Sequence, residues 1–131
     1  MPDPTRYTVQ PSASAQNRPI AALVVDCADP PAMSRFWSAA VDWTVHEVTD
    51  EFASLRAAGG TGPYLEFLRK PGEPSVWHRT HLDVVPCPGG DQAAEVSRLL
   101  SLGASTAGPG GFSWVVLTDP EGNEFCVLSP G

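Results

Sequence analysis

Basic side chains and long apolar segments are both scarce in this chain of 131 residues. Eight Lys and Arg stand against 15 Asp and Glu, which gives a net charge of −7 and a pI near 4.7. Proteins that bind nucleic-acid backbones concentrate Lys and Arg on one surface, so we expect no nucleic-acid partner. The longest apolar run, residues 20–25, is far shorter than the roughly 18 residues that cross a bilayer. We therefore expect a soluble protein with no membrane segment.

Cysteine is also scarce, and its pattern bears on the cellular compartment. Cys27, Cys87 and Cys126 form no CxxC pair, and a single disulfide would leave one thiol over. This pattern is typical of free thiols in a reducing compartment. The first residues also lack the basic start and apolar segment of a secretion signal. The sequence therefore predicts a cytoplasmic protein.

The chain divides into a tail and one domain. Residues 1–19 are rich in proline and small polar side chains, which bury too little surface to offset the cost of ordering, so a flexible tail is predicted. A chain of this size buries roughly 65–70% of its unfolded surface and can hold a core without crosslinks. Residues 20–131 are therefore predicted to form a single domain.

The first half of that domain has the pattern β-α-β-β-β. Residues 20–26 read as a buried strand, and Asp29 followed by Pro30 predicts the start of a helix. The helix has one apolar face, formed by Met33, Phe36, Trp37, Ala40 and Val41. It is expected to end at Asp42, in a left-handed turn. Three strands then follow, at residues 43–48, 52–55 and 64–68.

The second half repeats this plan. A strand at 80–85 precedes a helix at 91–102, with Val96, Leu99 and Leu100 inward and Gly103 at its end. A short edge strand at 104–107 and strands at 112–117 and 124–128 follow. The run Glu-Phe-Leu at 66–68 recurs as Glu-Phe-Cys at 124–126, 58 residues later. We therefore predict an α+β fold of two tandem βαβββ modules, at about 20–70 and 78–130.

Three stretches resemble one known superfamily. They are the run DPEGNEF at 119–125, the run RFW at 35–37 followed by Trp43, and the run RTHLD at 79–83. Together they are similar to the vicinal oxygen chelate superfamily, which includes glyoxalase-like and bleomycin-resistance proteins. The resemblance implies that the two modules form a cup-shaped mixed sheet, and that the protein is a homodimer. It identifies the fold better than the activity, because this fold hosts both enzymes and drug binders.

The resemblance also implies where a metal would bind. Metal-dependent members place four ligands in the cup, and the matching positions here are Ala22, Leu68, His81 and Cys126. The first two cannot bind a metal, and the thiolate of the last favours zinc or copper over a hard divalent ion. We therefore expect no metal and no cofactor. A weakly held divalent ion between Glu66 and His81 remains an alternative, since Glu66 lies on the same strand face as Leu68.

Six residues are candidates for the site. His81 could act as a general acid or base, or could simply be satisfied by Asp83. Glu66 could take up a proton or bind a cationic group, or could be an ordinary strand carboxylate. The candidate ligand-binding residues are Tyr64, Asp83, Trp114 and Cys126. The alternatives to ligand binding are core packing for Trp114 and a small buried side chain for Cys126. His46 is interpreted as a surface residue.

Three functions are compatible with these residues. The first is a metal-free protein that binds a small organic ligand, such as a resistance protein that sequesters a drug. The second is a lyase, isomerase or dioxygenase of the vicinal oxygen chelate type, which would use a metal or His81. The third is a structural or regulatory module whose cup is filled by its own side chains. Only the small organic ligand and a second copy of the chain are expected as partners.

Overall fold

The computed structural model describes residues 20–71, 80–111 and 113–130 of the chain. The predicted flexible tail, residues 1–19, and the first two residues of the second predicted module lie outside this part. The first module contains β1 (Ala22–Cys27), α1 (Pro30–Val41), β2 (Thr44–Val48), β3 (Phe52–Arg56) and β4 (Tyr64–Arg69). The second contains β5 (Leu82–Val84), α2 (Gln92–Leu102), β6 (Ser105–Thr106), β7 (Trp114–Thr118) and β8 (Glu124–Leu128). A short 3-10 turn, Ala58–Gly60, was not predicted.

Local chemistry sets the ends of both helices. The Asp29 side chain accepts a hydrogen bond from the Ala32 amide, and Pro30 occupies the first turn, where its missing N–H costs nothing. Asp42 ends α1 in the predicted left-handed conformation, with φ of 56°. Asp91 caps α2 in the same way as Asp29 caps α1, and Gly103 ends α2 with φ of 121°.

The strands form two four-stranded mixed sheets of the same topology. The strand order is β1-β4-β3-β2 in the first sheet and β5-β8-β7-β6 in the second. In each sheet the first strand of the module pairs in parallel with the last, and the other pairings are antiparallel. The predicted α+β fold of two βαβββ modules is thereby confirmed. The strand predicted at 80–85 is shorter, so His81 lies just before β5 rather than inside it.

One hydrophobic core joins the helices to both sheets. Phe36 and Trp37 of α1 pack edge-on against Phe125 of β8, with ring centroids 6.1 and 5.0 Å away. The same core takes in Met33, Leu55, Leu65, Phe67, Leu99, Leu117 and Val127. Leu99 is buried as predicted, whereas Leu100 is 37% exposed and the prediction that it points inward is wrong. The helix contacts α1 and β8, and one step along a helix turns a side chain by about 100°, so Leu100 points away from the side where Leu99 is buried.

Asp119 links the turn between β7 and β8 to α1. Its side chain is 4% exposed and accepts a hydrogen bond of 3.1 Å from the indole nitrogen of Trp37. The same carboxylate accepts bonds from the amides of Glu121 and Asn123 and from the Asn123 side chain. A buried charge is tolerated only when it is bonded in this way. The two modules are therefore joined by one buried carboxylate.

Two further contacts tie the second module to the ends of α1. The Glu121 carboxylate accepts the Ala28 and Asp29 amides at 2.7 and 2.8 Å, just before the N-terminus of the helix. A negative charge there also interacts favourably with the helix dipole. At the other end, Arg98 of α2 donates to the Ala39 and Ala40 carbonyls at 2.9 and 2.7 Å. None of the helices in the described residues is long and apolar enough to span a membrane.

We expect Asp119→Ala to destabilise the whole domain. The substitution leaves the Trp37 indole and two turn amides without their acceptor, and each buried unpaired donor costs about 1–3 kcal/mol. Urea denaturation should show a free energy of unfolding lower by at least about 3 kcal/mol. The matched control is Asp50→Ala in the exposed turn between β2 and β3, which should change it by less than about 0.5 kcal/mol. Equal stability of the two variants would contradict the role given to Asp119.

Candidate functional site

Each sheet has one face in the core and one face turned away from it. Leu65 and Phe67 of β4, and Phe125 and Val127 of β8, belong to the core. Since strand side chains alternate between faces, the residues between them lie on the opposite face. We call that opposite face the open face; it is formed by Tyr64, Glu66 and Leu68 of β4 and by Glu124, Cys126 and Leu128 of β8.

Three candidate residues meet on the open face of the second sheet. His81 Nε2 lies 3.1 Å from Asp83 Oδ1, although His81 precedes the first residue of β5. Asp83 pairs with Cys126 across the parallel ladder of β5 and β8. The donor atoms of the three side chains all lie within 4.8 Å of one another. The His81 side chain is 50% exposed and that of Asp83 is 27% exposed, whereas Cys126 is buried.

Cys126 is a protonated thiol in this setting. Burial raises its pKa above the usual 9.0, and the negative charge of Asp83 and a hydrogen bond to it raise the pKa further. Only the thiolate is a strong nucleophile, so a raised pKa disfavours attack by this sulfur at neutral pH. Cys126 is therefore a small buried side chain in this structure.

A different polar group lies on the open face of the first sheet. The Arg56 guanidinium sits 4.6 Å above the Tyr64 ring, and the His46 ring meets the same tyrosine edge-on at 5.6 Å. Arg56 also donates from Nε to the Gly62 carbonyl at 3.0 Å, which fixes its position. Tyr64 therefore does not present a bare ring to a ligand, because the guanidinium covers one of its faces.

Sequence patterns did not single out Arg56 and treated His46 as a surface residue. Arg56 follows Leu55, which pairs with Leu65, so the strand register carries Arg56 to Tyr64. His46 is exposed, but a bulge in β2 between Val45 and Glu47 lets its ring reach the tyrosine. The pairing of β3 with β4 was predictable as a hairpin, whereas the bulge has no signal in the sequence.

Glu66 occupies the middle of this face. It is half-buried and lies opposite Ser54 of β3, which is 5% exposed. Directly opposite residues of antiparallel strands share a face, so the carboxylate and the hydroxyl lie side by side. Glu66 is not part of the donor cluster that contains His81, Asp83 and Cys126. A divalent ion held weakly between Glu66 and His81 therefore stays a prediction of the sequence.

The strand register relates positions in the two modules. Val25 pairs with Phe67 in the first sheet, and Leu82 pairs with Phe125 in the second. Phe67 and Phe125 occupy matching positions in the repeat, so Val25 and Leu82 match as well. The first strands are therefore offset by 82 − 25 = 57 residues, not by the 59 residues that matching Ala22 with His81 requires.

This register corrects the assignment of Ala22 as the counterpart of His81. The conclusion that the first module lacks the superfamily's metal ligands is unchanged. Val24, rather than Ala22, is the counterpart of His81, because hydrogen-bonded pairing and not a constant sequence offset sets the register. Leu68 remains the counterpart of Cys126. Val24 and Leu68 carry only carbon, so the residues of the first module do not fit the four-ligand metal centre that the resemblance implies. No step of a mechanism can be assigned to such a centre here.

Trp114 is packed against its own loop. It lies opposite Leu128 on the open face of the second sheet and is half-buried. A Cβ on Gly111 would stand 2.0 Å from the indole ring, so the ring lies directly on the glycine backbone. The glycines before β7 thus make room for the indole. This packing accounts for the burial of Trp114 without a ligand, and its role in ligand binding stays a prediction.

Comparison with known proteins agrees with this fold. The family described as Glyoxalase-like domain matches residues 22–128. Three solved structures are similar to this chain. The first is the fosfomycin resistance protein FosX from Mesorhizobium loti. The others are a glyoxalase-related enzyme from Fulvimarina pelagi and a possible glyoxalase from Bacillus cereus.

The structural likeness extends over most of each chain. FosX is 13% identical with a TM-score of 0.66, covering 88% of this chain and 94% of its own. The Fulvimarina protein is 14% identical with a TM-score of 0.65, covering 86% and 88%. The Bacillus protein is 19% identical with a TM-score of 0.61, covering 83% and 96%. At such identities the likeness shows the fold alone. No curated protein matches the chain.

Thiol labelling tests the environment of the three cysteines. Cys87 is exposed, whereas Cys27 and Cys126 are buried, and burial together with the Glu121 charge raises the pKa of Cys27 to about 11. Below these raised pKa values the two buried thiols stay protonated. Treatment of the folded protein with a disulfide reagent at pH 8 should therefore give one fast equivalent. Cys87→Ser should abolish that fast phase; rapid labelling of Cys126 in this variant would contradict the assignment.

Proposed function

The chain belongs to the glyoxalase-like domain family of the vicinal oxygen chelate superfamily, and on this premise we propose that it binds a small organic molecule. The ligand contacts the open faces of the two sheets. Binding does not use the four-ligand metal centre of the superfamily. The observation that carries this proposal is the concentration of polar and charged side chains on faces that the core leaves free.

The two sheets offer different contacts to such a ligand. On the first sheet, Arg56 can bind an anionic group of the ligand, and the half-buried Glu66 can bind a cationic or hydrogen-bond-donating group. On the second sheet, His81 and Asp83 present a polar pair that is open to solvent. These contacts suit a small polar molecule that carries charges of both signs.

The positions that have lost metal ligands support a binding role. A metal-dependent member needs donors from both modules, and here the first module supplies the side chains of Val24 and Leu68. Both are partly exposed, at 55% and 37%, so they add apolar surface to the same face. An open face with apolar patches beside charged groups can bind an organic ligand without activating it.

Sequestration is the form of this function that we favour. One similar structure is a fosfomycin resistance protein, although its likeness to this chain extends to the fold alone. A protein that protects by sequestration needs tight binding and no chemistry, which agrees with the raised pKa of Cys126 and with carbon side chains at Val24 and Leu68. The homodimer and the cytoplasmic location remain predictions of the sequence.

Metal-independent catalysis is the alternative function. One observation favours it: Asp83 bonds to His81 Nε2 at 3.1 Å and so orients the imidazole. An oriented histidine could move a proton to or from a bound substrate through its other ring nitrogen, Nδ1. In that case the protein would be a lyase or isomerase that uses His81 as the acid or base.

A ligand screen with matched variants tests the binding proposal. Small molecules that are anionic, cationic or zwitterionic are screened by thermal shift, and hits are measured by calorimetry. Glu66→Gln and Arg56→Met should each weaken a hit by about tenfold, or about 1.4 kcal/mol, because each removes one charged contact. The control is Glu51→Gln, since the Glu51 side chain is 72% exposed and forms an ion pair with Arg69 at the sheet end. It should leave the affinity unchanged.

The same experiment separates binding from catalysis. Mass spectrometry of the ligand after incubation should recover it unaltered if the protein sequesters it. Conversion that is lost in His81→Ala would instead establish the alternative. If no molecule in the screen stabilises the protein, the open faces are not the binding site. The same holds if Glu66→Gln and Arg56→Met bind a hit as tightly as the control Glu51→Gln.

A further inference from the structure

The open face of the first sheet carries two opposite charges, Arg56 and Glu66, that do not pair with each other. We infer that this face selects a linear zwitterion, a molecule whose anionic and cationic groups stand several carbons apart, as in an ω-amino acid. The anionic group binds Arg56 and the cationic group binds Glu66. This inference rests on the proposed function and narrows it, because it fixes the spacing of the charges that the ligand carries.

The ladder places the two charges on neighbouring strands of one face. Ser54 of β3 pairs with Glu66 of β4. Arg56 comes two residues after Ser54 on β3, and its guanidinium lies over the ring of Tyr64. Arg56 and Glu66 are therefore diagonal neighbours, and the Cα atoms of such neighbours are about 7–8 Å apart.

Two contacts hold the guanidinium away from the carboxylate. Arg56 donates from Nε to the Gly62 carbonyl at 3.0 Å, and its Cζ lies 4.6 Å from the centre of the Tyr64 ring. Gly62 comes before Tyr64 in the chain, whereas Glu66 comes after it. The guanidinium is therefore held toward the start of β4, and the two charges stay apart on the same face.

Both charged groups are left for a ligand. In the part of the chain that the structure describes, Arg69 and Arg98 are exposed and form ion pairs with glutamates. Arg56 is half-buried and forms none there, and only its Nε has an acceptor, so its terminal nitrogens are available to an oxyanion. Glu66 is also half-buried and also forms no ion pair among these residues. A counter-charge is attracted more strongly at such partly dehydrated groups than at exposed ones.

The surface beside the two charges is apolar. On β1, Ala22 pairs with Tyr64 and Val24 pairs with Glu66, so this side of the face carries only carbon. The Val24 side chain is 55% exposed. A chain of methylene groups that lies on this surface is removed from water together with it, which favours binding.

The spacing of the charges sets the length of the ligand. In an α-amino acid, one carbon separates the two charged groups, which stand about 3 Å apart. Each further methylene lengthens an extended chain by about 1.3 Å, given C–C bonds of about 1.5 Å. Three to five methylenes therefore give a separation of about 6–8 Å, which matches the diagonal spacing of the two strand positions.

A series of ω-amino acids tests this spacing. The full-length chain is titrated by calorimetry at low ionic strength with members that carry one to about seven methylenes between ammonium and carboxylate. We expect the affinity to peak at three to five methylenes, about tenfold or more above that of glycine, because only these lengths make both charge-assisted contacts. Alkyl carboxylates and alkylamines of the same lengths carry a single charge and should show no such maximum.

Charge-removing variants assign the two ends of the ligand. Glu66→Gln should abolish the maximum, so that each amino acid binds like the alkyl carboxylate of its length. Arg56→Met should likewise leave binding like that of the alkylamine. The matched control is Glu47→Gln, which removes an exposed carboxylate that lies opposite Ser54 on β2, and it should keep the maximum. Circular dichroism checks that all three variants are folded.

The remaining results overturn the inference. They are an affinity that does not depend on chain length, a series that does not bind at all, and a maximum that survives in Glu66→Gln. Loss of the maximum in Glu47→Gln would move the cationic contact away from Glu66 and count equally against it. A different hit from the ligand screen that needs both Arg56 and Glu66 would leave the proposed function standing without this spacing, whereas a screen without any hit would remove both.

Discussion

The buried carboxylate of Asp119 is the contact on which the arrangement of the two modules depends. It belongs to the second module, yet it accepts the indole hydrogen of Trp37 in the first, 82 residues away. Its other hydrogen bonds lie within its own turn, where the Glu121 amide and the Asn123 side chain donate to it just before β8 begins. One side chain thus shapes a tight turn and positions a helix. A neutral or shorter side chain could not satisfy all of these donors within a dry core.

Because the modules are joined in this way, the open faces of the sheets are available for contacts with a ligand. The modules are joined through α1: Trp37 packs on Phe125 and donates to Asp119, the Ala28 amide donates to Glu121, and Arg98 donates to the Ala40 carbonyl. On the open face of the first sheet, Glu66 is only half-buried and Leu68 is exposed, so a charged residue is tolerated there at low cost to stability. The second sheet is the more enclosed of the two, since Cys126 and Leu128 are only 6% and 5% exposed.

Local features of the fold were predictable from the sequence, and long-range features were not. The helix caps at Asp29 and Asp91, the left-handed Asp42 and the contact of His81 with Asp83 depend on residues within a few positions of one another. The bond from Trp37 to Asp119 and the approach of His46 to Tyr64 depend on packing and on a bulge. The offset of the first strands failed for the same reason, because ladder pairing is a contact between distant segments.

The two modules carry different side chains at matching strand positions, and this difference decides which contacts each sheet can offer. A centre shared between modules constrains both, because the loss of a ligand from either sheet leaves the ion under-coordinated. Once Val24 and Leu68 occupy the first sheet, its face can take on other contacts, and Arg56, Tyr64 and Glu66 are such contacts. On the second sheet, Asp83 lies 3.1 Å from His81 Nε2 and pairs with Cys126 in the ladder, so the polar contacts of that face are made within one sheet.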